Sequence, residues 1–282
     1  MIEEIVDLYD YFGAERKGAT RGYLRCLRHE GLPEMGRSLL RPAMLVIPGG
    51  GYVVVSQREG WPVALTFFAA GYETFTLEYD VAPVGYPAQI EQAAMAMAYI
   101  RRNAEAFGIL PDKVAAIGFS AGGHLLGCIS AIWDDPAIAA VLGDACAAAR
   151  PDASVYGYPV VTAGECEHEE SFENFCRKAV KAETYSIERR VRPECSPAFI
   201  WANTPDSVVP VQNALCLYEA YLQAGVPVEL HIFRDGWHGM TVCTEETEAS
   251  VPIRPECAYV RPWVDLCRNF LKTLGFAVQT ER

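Results

Sequence analysis

The sequence lacks long hydrophobic runs and is poor in basic residues. No apolar segment approaches the run of about 20 residues that a transmembrane helix needs. The first residues, Met1 to Asp7, are acidic and do not have the basic and then apolar pattern of a signal peptide. Lysine and arginine number 24 against 36 acidic residues, a net charge of −12, which disfavours nucleic acid and anionic membranes. We expect a cytoplasmic protein with no nucleic-acid or membrane partner.

The sequence also lacks the cysteine spacing of a disulfide framework or a zinc site. Its ten cysteines are scattered from Cys26 to Cys267, as in a reduced chain that uses them as small apolar residues. Cys166 and His168 are the sharpest metal candidates, but no second pair lies at a ligand spacing. We therefore expect neither a metal nor a cofactor. The pattern leaves the oligomeric state open.

What the sequence does contain is an alternation of apolar strand-like runs with helical patterns, and no repeat or low-complexity linker. Hydrophobic residues make up 51% of the 282 positions, enough for a large core. The alternation predicts an α/β domain over residues 1–282, with a mostly parallel sheet and helices on both faces. The predicted strands are Ala43–Ile47, Glu73–Tyr79, Val114–Ile117, Ser154–Tyr158, Ala198–Trp201 and Val228–Phe233. The predicted helices are Trp61–Ala70, Pro87–Phe107, Ala121–Ala131, Val211–Ala224 and Trp263–Leu274.

One segment interrupts this alternation. Residues Gly164 to Pro197 are rich in charge, contain Phe172, Phe175 and Tyr185, and are too long for a simple turn between two strands. A small cap over a ligand site and a solvated helical excursion both fit the segment, and both interpretations stay open.

The nucleophile candidate is Ser120 in Gly118-Phe119-Ser120-Ala121-Gly122, a match to G-x-S-x-G. The motif follows a predicted strand and precedes an apolar helix. That sharp strand-to-helix turn exposes a serine oxygen at a helix N-terminus, where negative charge is favoured. A glycine-serine turn without chemistry is the plain alternative.

A glycine-rich turn, Pro48-Gly49-Gly50-Gly51-Tyr52, follows the first predicted strand. Backbone N–H groups of Gly50 or Gly51, with that of Ala121, can form an oxyanion hole for the charge that develops in ester hydrolysis. A phosphate loop would need G-K-[ST] downstream, which Tyr52-Val53-Val54 does not supply. A simple tight turn remains the other interpretation.

Five histidines compete for the role of base. His238 lies between glycines in a loop beyond the strand Val228–Phe233, from which it can reach the serine. His29 lies in a polar region before the first sheet strand, and His124 lies too deep in the helix after Ser120. His168 lies in the charged insertion, and His231 lies inside a strand.

Asp206 is the candidate acid, because chains in which G-x-S-x-G forms a strand-to-helix turn carry their triad in the order Ser, Asp or Glu, His. It follows the strand Ala198–Trp201 and lies 32 residues before His238, which leaves room for one helix and one strand. Asp235 is too near His238 to come from a neighbouring strand. The alternative role for Asp206 is a helix cap.

Together, the Pro48–Tyr52 turn, the Ser120 motif, the segment at Asp206 and Gly236-Trp237-His238-Gly239-Met240 resemble the bacterial acetyl-xylan esterase-like and feruloyl-esterase-like α/β hydrolases. The resemblance runs in order from about Arg41 to Phe276. It implies the α/β-hydrolase fold, the roles given above for the triad and the oxyanion donors, and an acetyl ester of a small sugar or xylo-oligosaccharide as substrate. Pro48 stands where many relatives of the wider fold carry histidine. The backbone donors do not depend on that side chain.

The expected activity is that of a serine carboxylic-ester hydrolase acting through an acyl-serine. Tyr52, Tyr158 and Trp237 are predicted to contact the sugar, with core packing as the alternative. Because the rings of Tyr52 and Trp237 would narrow the acyl side, we expect kcat/KM to fall from acetyl to octanoyl esters. The rival functions are an arylformamidase, a peptidase, a promiscuous lipase-like esterase and a non-catalytic ligand-binding protein.

Overall fold

The computed structural model describes residues 1–280. The strands in this part of the chain are β1 Ile2–Asp7, β2 Tyr23–Arg28, β3 Leu39–Ile47, β4 Glu73–Glu78, β5 Ile109–Phe119, β6 Ala153–Gly157, β7 Ala198–Asn203, β8 Val228–Phe233 and β9 Gln279–Thr280. The α-helices are α1 Leu8–Phe12, α2 Trp61–Ala69, α3 Ala88–Arg102, α4 Ala121–Ala131, α5 Pro136–Leu142, α6 Glu169–Cys176, α7 Gln212–Gln223, α8 Pro255–Val260 and α9 Trp263–Thr273.

The sheet follows the order β1-β2-β4-β3-β5-β6-β7-β8, and β9 pairs with the start of β3. All pairs from β4 to β8 are parallel, whereas β1 and β2 add an antiparallel edge. The predicted mostly parallel sheet is therefore confirmed. The serine-bearing strand β5 lies at its centre, so every neighbouring strand end is close to the serine.

Helices cover both faces of the sheet because the central strands are apolar on both sides. Along β3, Leu45 and Ile47 pack into one core with α3, α4 and α7. Met44 and Val46 point to the opposite face and pack with α2 and α9. This two-sided burial confirms the predicted α/β class.

The N-terminal hairpin corrects one prediction. His29 does not precede the first sheet strand, since it directly follows β2. The hairpin is an edge element whose charged side chains pair across the strands, for example Arg25 with Glu3 at 3.0 Å. These charges hide the alternation that would mark a strand. His29 stacks on Phe68 with ring centroids 3.8 Å apart, far from the serine motif's strand end.

The segment Gly164–Pro197 forms α6 and two short 3₁₀ turns, Ala182–Tyr185 and Ile187–Arg189. We call this segment the cap. Its apolar side chains Phe172 and Phe175 pack edge-on against the ring of His124 in α4, with centroids 4.9 and 5.0 Å away. The excursion therefore buries an apolar side over the helix that follows the serine.

Two further properties concern the described chain as a whole. Within residues 1–280, no single helix has the length and apolar character of a membrane span. In this range, only α4 and the segment Pro136–Ala149 taken together, with a 74° bend between them, reach that length and apolar character.

All ten cysteines are free. Seven of them are buried, and burial raises the pKa of each of these thiols: Cys26, Cys128, Cys176, Cys195, Cys243, Cys257 and Cys267.

Candidate active site

Ser120 occupies a strained turn between β5 and α4. Its φ of 51° and ψ of −122° lie in a region that a non-glycine residue rarely adopts. The turn fits because Gly122 packs directly against the end of β3, where a Cβ atom would lie 2.1 Å from the Ile47 carbonyl oxygen. Close packing of backbone on backbone therefore holds the serine at the carboxyl edge of the sheet.

His238 and Asp206 complete a hydrogen-bonded chain with Ser120. The Nε2 atom of His238 lies 2.8 Å from the Ser120 Oγ, and its Nδ1 lies 2.7 Å from Asp206 Oδ2. A carboxylate can only accept, so Nδ1 carries the hydrogen and Nε2 is left to accept the hydroxyl proton of Ser120. The structure thus brings together the three residues predicted as nucleophile, base and acid.

The two oxygens of Asp206 have separate partners. While Oδ2 accepts from His238, Oδ1 accepts the backbone N–H groups of Val208 and Val209 at 2.9 and 3.0 Å. The aspartate therefore closes a local turn ahead of α7 and does not cap that helix, which starts at Gln212. Asp235 is paired with Arg234 at 2.7 Å, and its side chain is 44% exposed.

The glycine turn after β3 faces the serine. Gly50 has a φ of 118°, and a Cβ there would lie 2.3 Å from the Val54 carbonyl oxygen, so only glycine fits. The Gly50 carbonyl accepts from the N–H groups of Val53 and Val54, which folds the turn on itself. In residues 1–280, no protein acceptor takes the N–H groups of Gly50, Gly51 or Ala121. These three predicted oxyanion donors therefore remain free for a ligand.

The predicted sugar-contacting aromatics are placed differently from the expectation. Tyr52 and Tyr158 are buried, with 0% and 1% exposure, so neither ring can stack on a substrate. Tyr52 instead donates its hydroxyl to His124 Nδ1 at 2.8 Å, and Tyr158 packs its ring edge-on against His238. Trp237 packs on the α2–α9 side of the core and is covered by Arg254, whose guanidinium carbon lies 3.3 Å from the ring centroid. The assignment of Tyr52 and Tyr158 to substrate was wrong, because both rings belong to the core. Trp237 is half-buried, and its assignment stays a prediction.

Glu59 is a residue of the site that the sequence did not indicate. Its carboxylate is buried and accepts two hydrogen bonds, from the Gly49 N–H at 2.7 Å and from the Tyr158 hydroxyl at 2.8 Å. Burial raises the pKa of Tyr158 far above its usual range, which keeps that hydroxyl protonated as a donor. Glu59 therefore ties the glycine turn to the aromatic ring that supports His238.

His168 is the second residue that was missed. It is the N-cap residue of α6: its Nδ1 accepts from the Ser171 backbone N–H at 3.3 Å and lies 2.9 Å from the Ser171 hydroxyl. Its Nε2 must then carry the hydrogen of the neutral ring. Burial, and then the nearby His238, lower the pKa of His168 below its ordinary value, which favours that neutral form.

These groups surround an open cleft of about 480 Å³. Ser120 and His238 lie in it beside the Gly50–Gly51 turn, and the cap contributes His168 and Glu170 to its wall. Its apolar lining comes from Val53, Val54 and Val208, and Arg58 adds a charged group at the exposed side. The cleft therefore contains a nucleophile with its base, free backbone N–H groups from the glycine turn and from Ala121, and a wall with both polar and apolar side chains.

Two protein families match parts of the chain. Residues 32–143 match the BD-FAE family, and residues 92–252 match the prolyl oligopeptidase family. The second match covers more than half of the sequence and includes Ser120, Asp206 and His238. Both matches span strands and helices of the fold described above.

Individual relatives carry esterase and xylanase names. The chain is 33% identical to endo-1,4-beta-xylanase B of Butyrivibrio fibrisolvens over 73% of its own length, and 29% identical to an acetylxylan esterase of Xylanibacter ruminicola over 70%. It spans 33% and 40% of the lengths of these two proteins. A solved structure, the acetyl ester-xyloside bifunctional hydrolase of Caldicellulosiruptor lactoaceticus, is 30% identical with a TM-score of 0.77, covering 90% of this chain and 89% of that one.

Proposed function

The chain belongs to the esterase group of the α/β-hydrolase family, and from that premise we propose that it removes acetyl groups from sugars or short xylo-oligosaccharides. One observation carries the chemistry. Ser120, His238 and Asp206 form a continuous hydrogen-bonded chain, with separations of 2.8 and 2.7 Å, beside backbone amides that no protein group occupies. This is the arrangement that acyl transfer through a serine requires.

The first half of the proposed reaction forms an acyl-serine. As Ser120 Oγ attacks the ester carbonyl, its proton moves to His238 Nε2, and Asp206 stabilises the resulting imidazolium. The carbonyl oxygen becomes negative and is held by the amides of Ala121 and of Gly50 or Gly51, a term worth about 3 kcal/mol per donor. The alcohol then leaves with the proton from His238.

The second half releases the acid. Water loses a proton to His238 Nε2 as its oxygen attacks the acyl-serine carbonyl, and the same amides hold the second oxyanion. Collapse returns the proton to Ser120 Oγ and frees acetate. Both proton transfers use Ser120, His238 and Asp206, which already lie within hydrogen-bond distance of one another.

The acetyl-sugar part of the proposal is supported by relatives named acetylxylan esterase and acetyl ester-xyloside hydrolase. The rings of Tyr52 and Trp237 do not narrow the acyl side of the cleft, because Tyr52 is buried and Trp237 is covered by Arg254. Three valines, Val53, Val54 and Val208, now form the apolar wall that an acyl group would meet. We also propose a cytoplasmic location, which suits small oligosaccharides better than polymeric xylan.

A substrate panel tests this function. It compares p-nitrophenyl acetate, butyrate and octanoate with acetylated xylo-oligosaccharides, N-formyl arylamines and a prolyl peptide anilide. We expect the highest kcat/KM on acetylated oligosaccharides, and the three p-nitrophenyl esters measure whether kcat/KM changes with acyl length. Because the prolyl oligopeptidase family matches residues 92–252, a peptidase is the second candidate, and preferential cleavage of the anilide would establish it. Absence of both turnover and fluorophosphonate labelling would instead favour a binding protein.

A further inference from the structure

A second cavity adjoins the catalytic cleft. It has a volume of about 740 Å³ and lies between β2, β4 and the loop that carries the glycine turn. Val54 and Ser56 line both cavities, so the two spaces are separated only by this part of the loop. We call the second cavity the side groove. A ligand longer than one sugar could pass from Ser120 across Val54 and Ser56 into it.

The side groove holds one arginine that no carboxylate neutralises. Arg21 and Arg25 line it, and Glu78 is the one acidic residue in its lining. Arg25 is already paired, with Glu3 at 3.0 Å and Glu78 at 3.4 Å. Arg21 differs, because among residues 1–280 no carboxylate lies within 4.0 Å of its guanidinium and no acceptor takes its side-chain hydrogens.

The backbone of Arg21 is nevertheless held on both sides. Its backbone N–H donates to the buried carboxylate of Asp80 at 3.2 Å, and its carbonyl accepts from Arg16 at 3.1 Å. The side chain is half-buried in the wall of the groove and does not extend freely into solvent. A guanidinium that lines a cavity and lacks an anion is suited to a carboxylate, which it can bind through two parallel N–H groups.

Aromatic rings complete the lining. Tyr23 and Trp61 are half-buried and line the same groove, and the guanidinium of Arg25 lies over the Trp61 ring at 5.3 Å. Amphipathic rings with one exposed part suit the apolar faces of sugars, and their polar tips can reach hydroxyl groups. The combination of rings and an unpaired cation therefore fits a sugar that carries a negative charge.

We propose that the side groove binds a uronic acid residue attached to the acetylated oligosaccharide whose ester lies at Ser120. Arg21 binds the uronate carboxylate, and Tyr23 and Trp61 contact the sugar ring. This inference rests on the proposed function and names its substrate class more closely. It makes the protein an esterase for acidic, substituted oligosaccharides.

The test measures kcat/KM on two acetylated xylo-oligosaccharides of equal length, one with and one without a uronic acid substituent. The unaltered chain is expected to prefer the acidic substrate by about ten-fold, the range of one charge-assisted contact. Arg21→Gln should abolish that preference, and added salt should reduce it in the unaltered chain. The matched control is Arg268→Gln, which removes an equal charge from α9 and should leave the preference unchanged.

A binding measurement separates recognition from turnover. The deacetylated acidic oligosaccharide should inhibit competitively, with a Ki raised about ten-fold by Arg21→Gln and unaltered by Arg268→Gln. Equal kcat/KM on acidic and neutral substrates in the unaltered chain would overturn the inference. Failure to hydrolyse all three substrates, p-nitrophenyl acetate and both oligosaccharides, would instead overturn the proposed function.

Discussion

The turn at Ser120 and the cap border the same cleft but are held in different ways. At the turn, backbone atoms touch backbone atoms, and a single added carbon at Gly122 would meet the Ile47 carbonyl. The cap reaches the site through side chains. Asn174 donates to the Gly51 carbonyl at 3.2 Å, and His124 donates to the Tyr185 carbonyl at 2.9 Å.

The turn therefore determines the catalytic chemistry, whereas the cap can alter substrate selectivity. Positions that fix reacting atoms depend on the packing of the whole sheet, so most changes there affect folding or turnover. The exposed positions of the cap make few contacts, so they can change with less effect on the fold, whereas buried cap residues such as Phe175 and Tyr185 belong to the core.

Removal of the nucleophile should have the largest effect. Ser120→Ala is expected to lower kcat on p-nitrophenyl acetate by about 10⁴-fold or more, since only the oxyanion amides and binding remain. The melting temperature should change by a few degrees at most. Steady-state kinetics and thermal unfolding measure the two quantities, and near-normal turnover would show that another residue attacks the ester.

The acid should come next. Asp206→Asn is expected to reduce kcat by about 10³ to 10⁴-fold, because His238 loses the carboxylate that fixes its tautomer. Asp235→Asn is the matched control and should change kcat less than about three-fold, since Asp235 is paired with Arg234. The opposite ranking of the two variants would remove Asp206 from the triad.

A substitution that adds one methyl group tests the backbone packing at the turn. Gly122→Ala would place a Cβ 2.1 Å from the Ile47 carbonyl oxygen, and we expect it to cost more than about 3 kcal/mol in the free energy of unfolding. Gly31→Ala is the control, because no heavy atom lies within 4 Å of the added carbon. Urea unfolding of both variants gives the comparison, and similar stabilities would mean that the turn is loosely packed.

His124 connects the turn to the cap and should make the stability depend on pH. It accepts from Tyr52 and donates to the Tyr185 carbonyl, and burial lowers its pKa to about 4. The unfolded imidazole binds a proton below about pH 6.5 and the folded one only near pH 4. The free energy of unfolding therefore has its full value above pH 6.5. It falls by up to about 3 kcal/mol as the pH drops toward 4, because the unfolded chain then binds a proton that the folded chain does not.

The comparison is made between the unaltered chain and His124→Gln. Urea unfolding at pH 7, 6 and 5 should show a steeper decline for the unaltered chain, because other titrating groups are common to both. Equal slopes would indicate that the imidazole of His124 does not stay neutral in the fold.

The cap should give the smallest effect. His168 offers an Nε2–H group at the cleft wall, and His168→Ala removes one neutral hydrogen-bond donor. We expect KM for an acetylated xylo-oligosaccharide to rise about three-fold more than KM for p-nitrophenyl acetate. His231→Ala, on the far strand β8, serves as the control. A kcat loss comparable to that of Asp206→Asn would mean that His168 takes part in the chemistry.

The centre of the fold could be predicted from local patterns. The helix Ala121–Ala131 and the strand Val228–Phe233 have the predicted bounds. The helix begins directly after the serine turn, and the strand lies between Pro227 and the charged pair Arg234-Asp235. The strand β5 begins earlier than predicted, at Ile109, since Pro111, Asp112 and Lys113 interrupt its apolar pattern. The N-terminal hairpin was missed because charged residues interrupt the apolar pattern of both strands, and these charges find their partners only once the strands are paired.

The site shows the same division. Ser120, Asp206 and His238 follow strand ends in a fixed chain order, so motif and topology together indicate them. Glu59 and His168 have no such signal. Glu59 enters the site because the loop after the glycine turn folds back beneath Gly49, and His168 enters because the cap closes on α4. Contacts formed by tertiary folding alone leave no periodicity in the sequence.

The seven buried thiols give the chain an internal reporter of opening. Each thiol is shielded from reagents. Burial also raises its pKa and so disfavours the thiolate, the form that reacts with alkylating agents. Modification of these positions therefore has to wait for local or global unfolding. Because Cys128 lies in α4, Cys176 in the cap and Cys267 in α9, the order in which they become labelled would record which part of the molecule opens first.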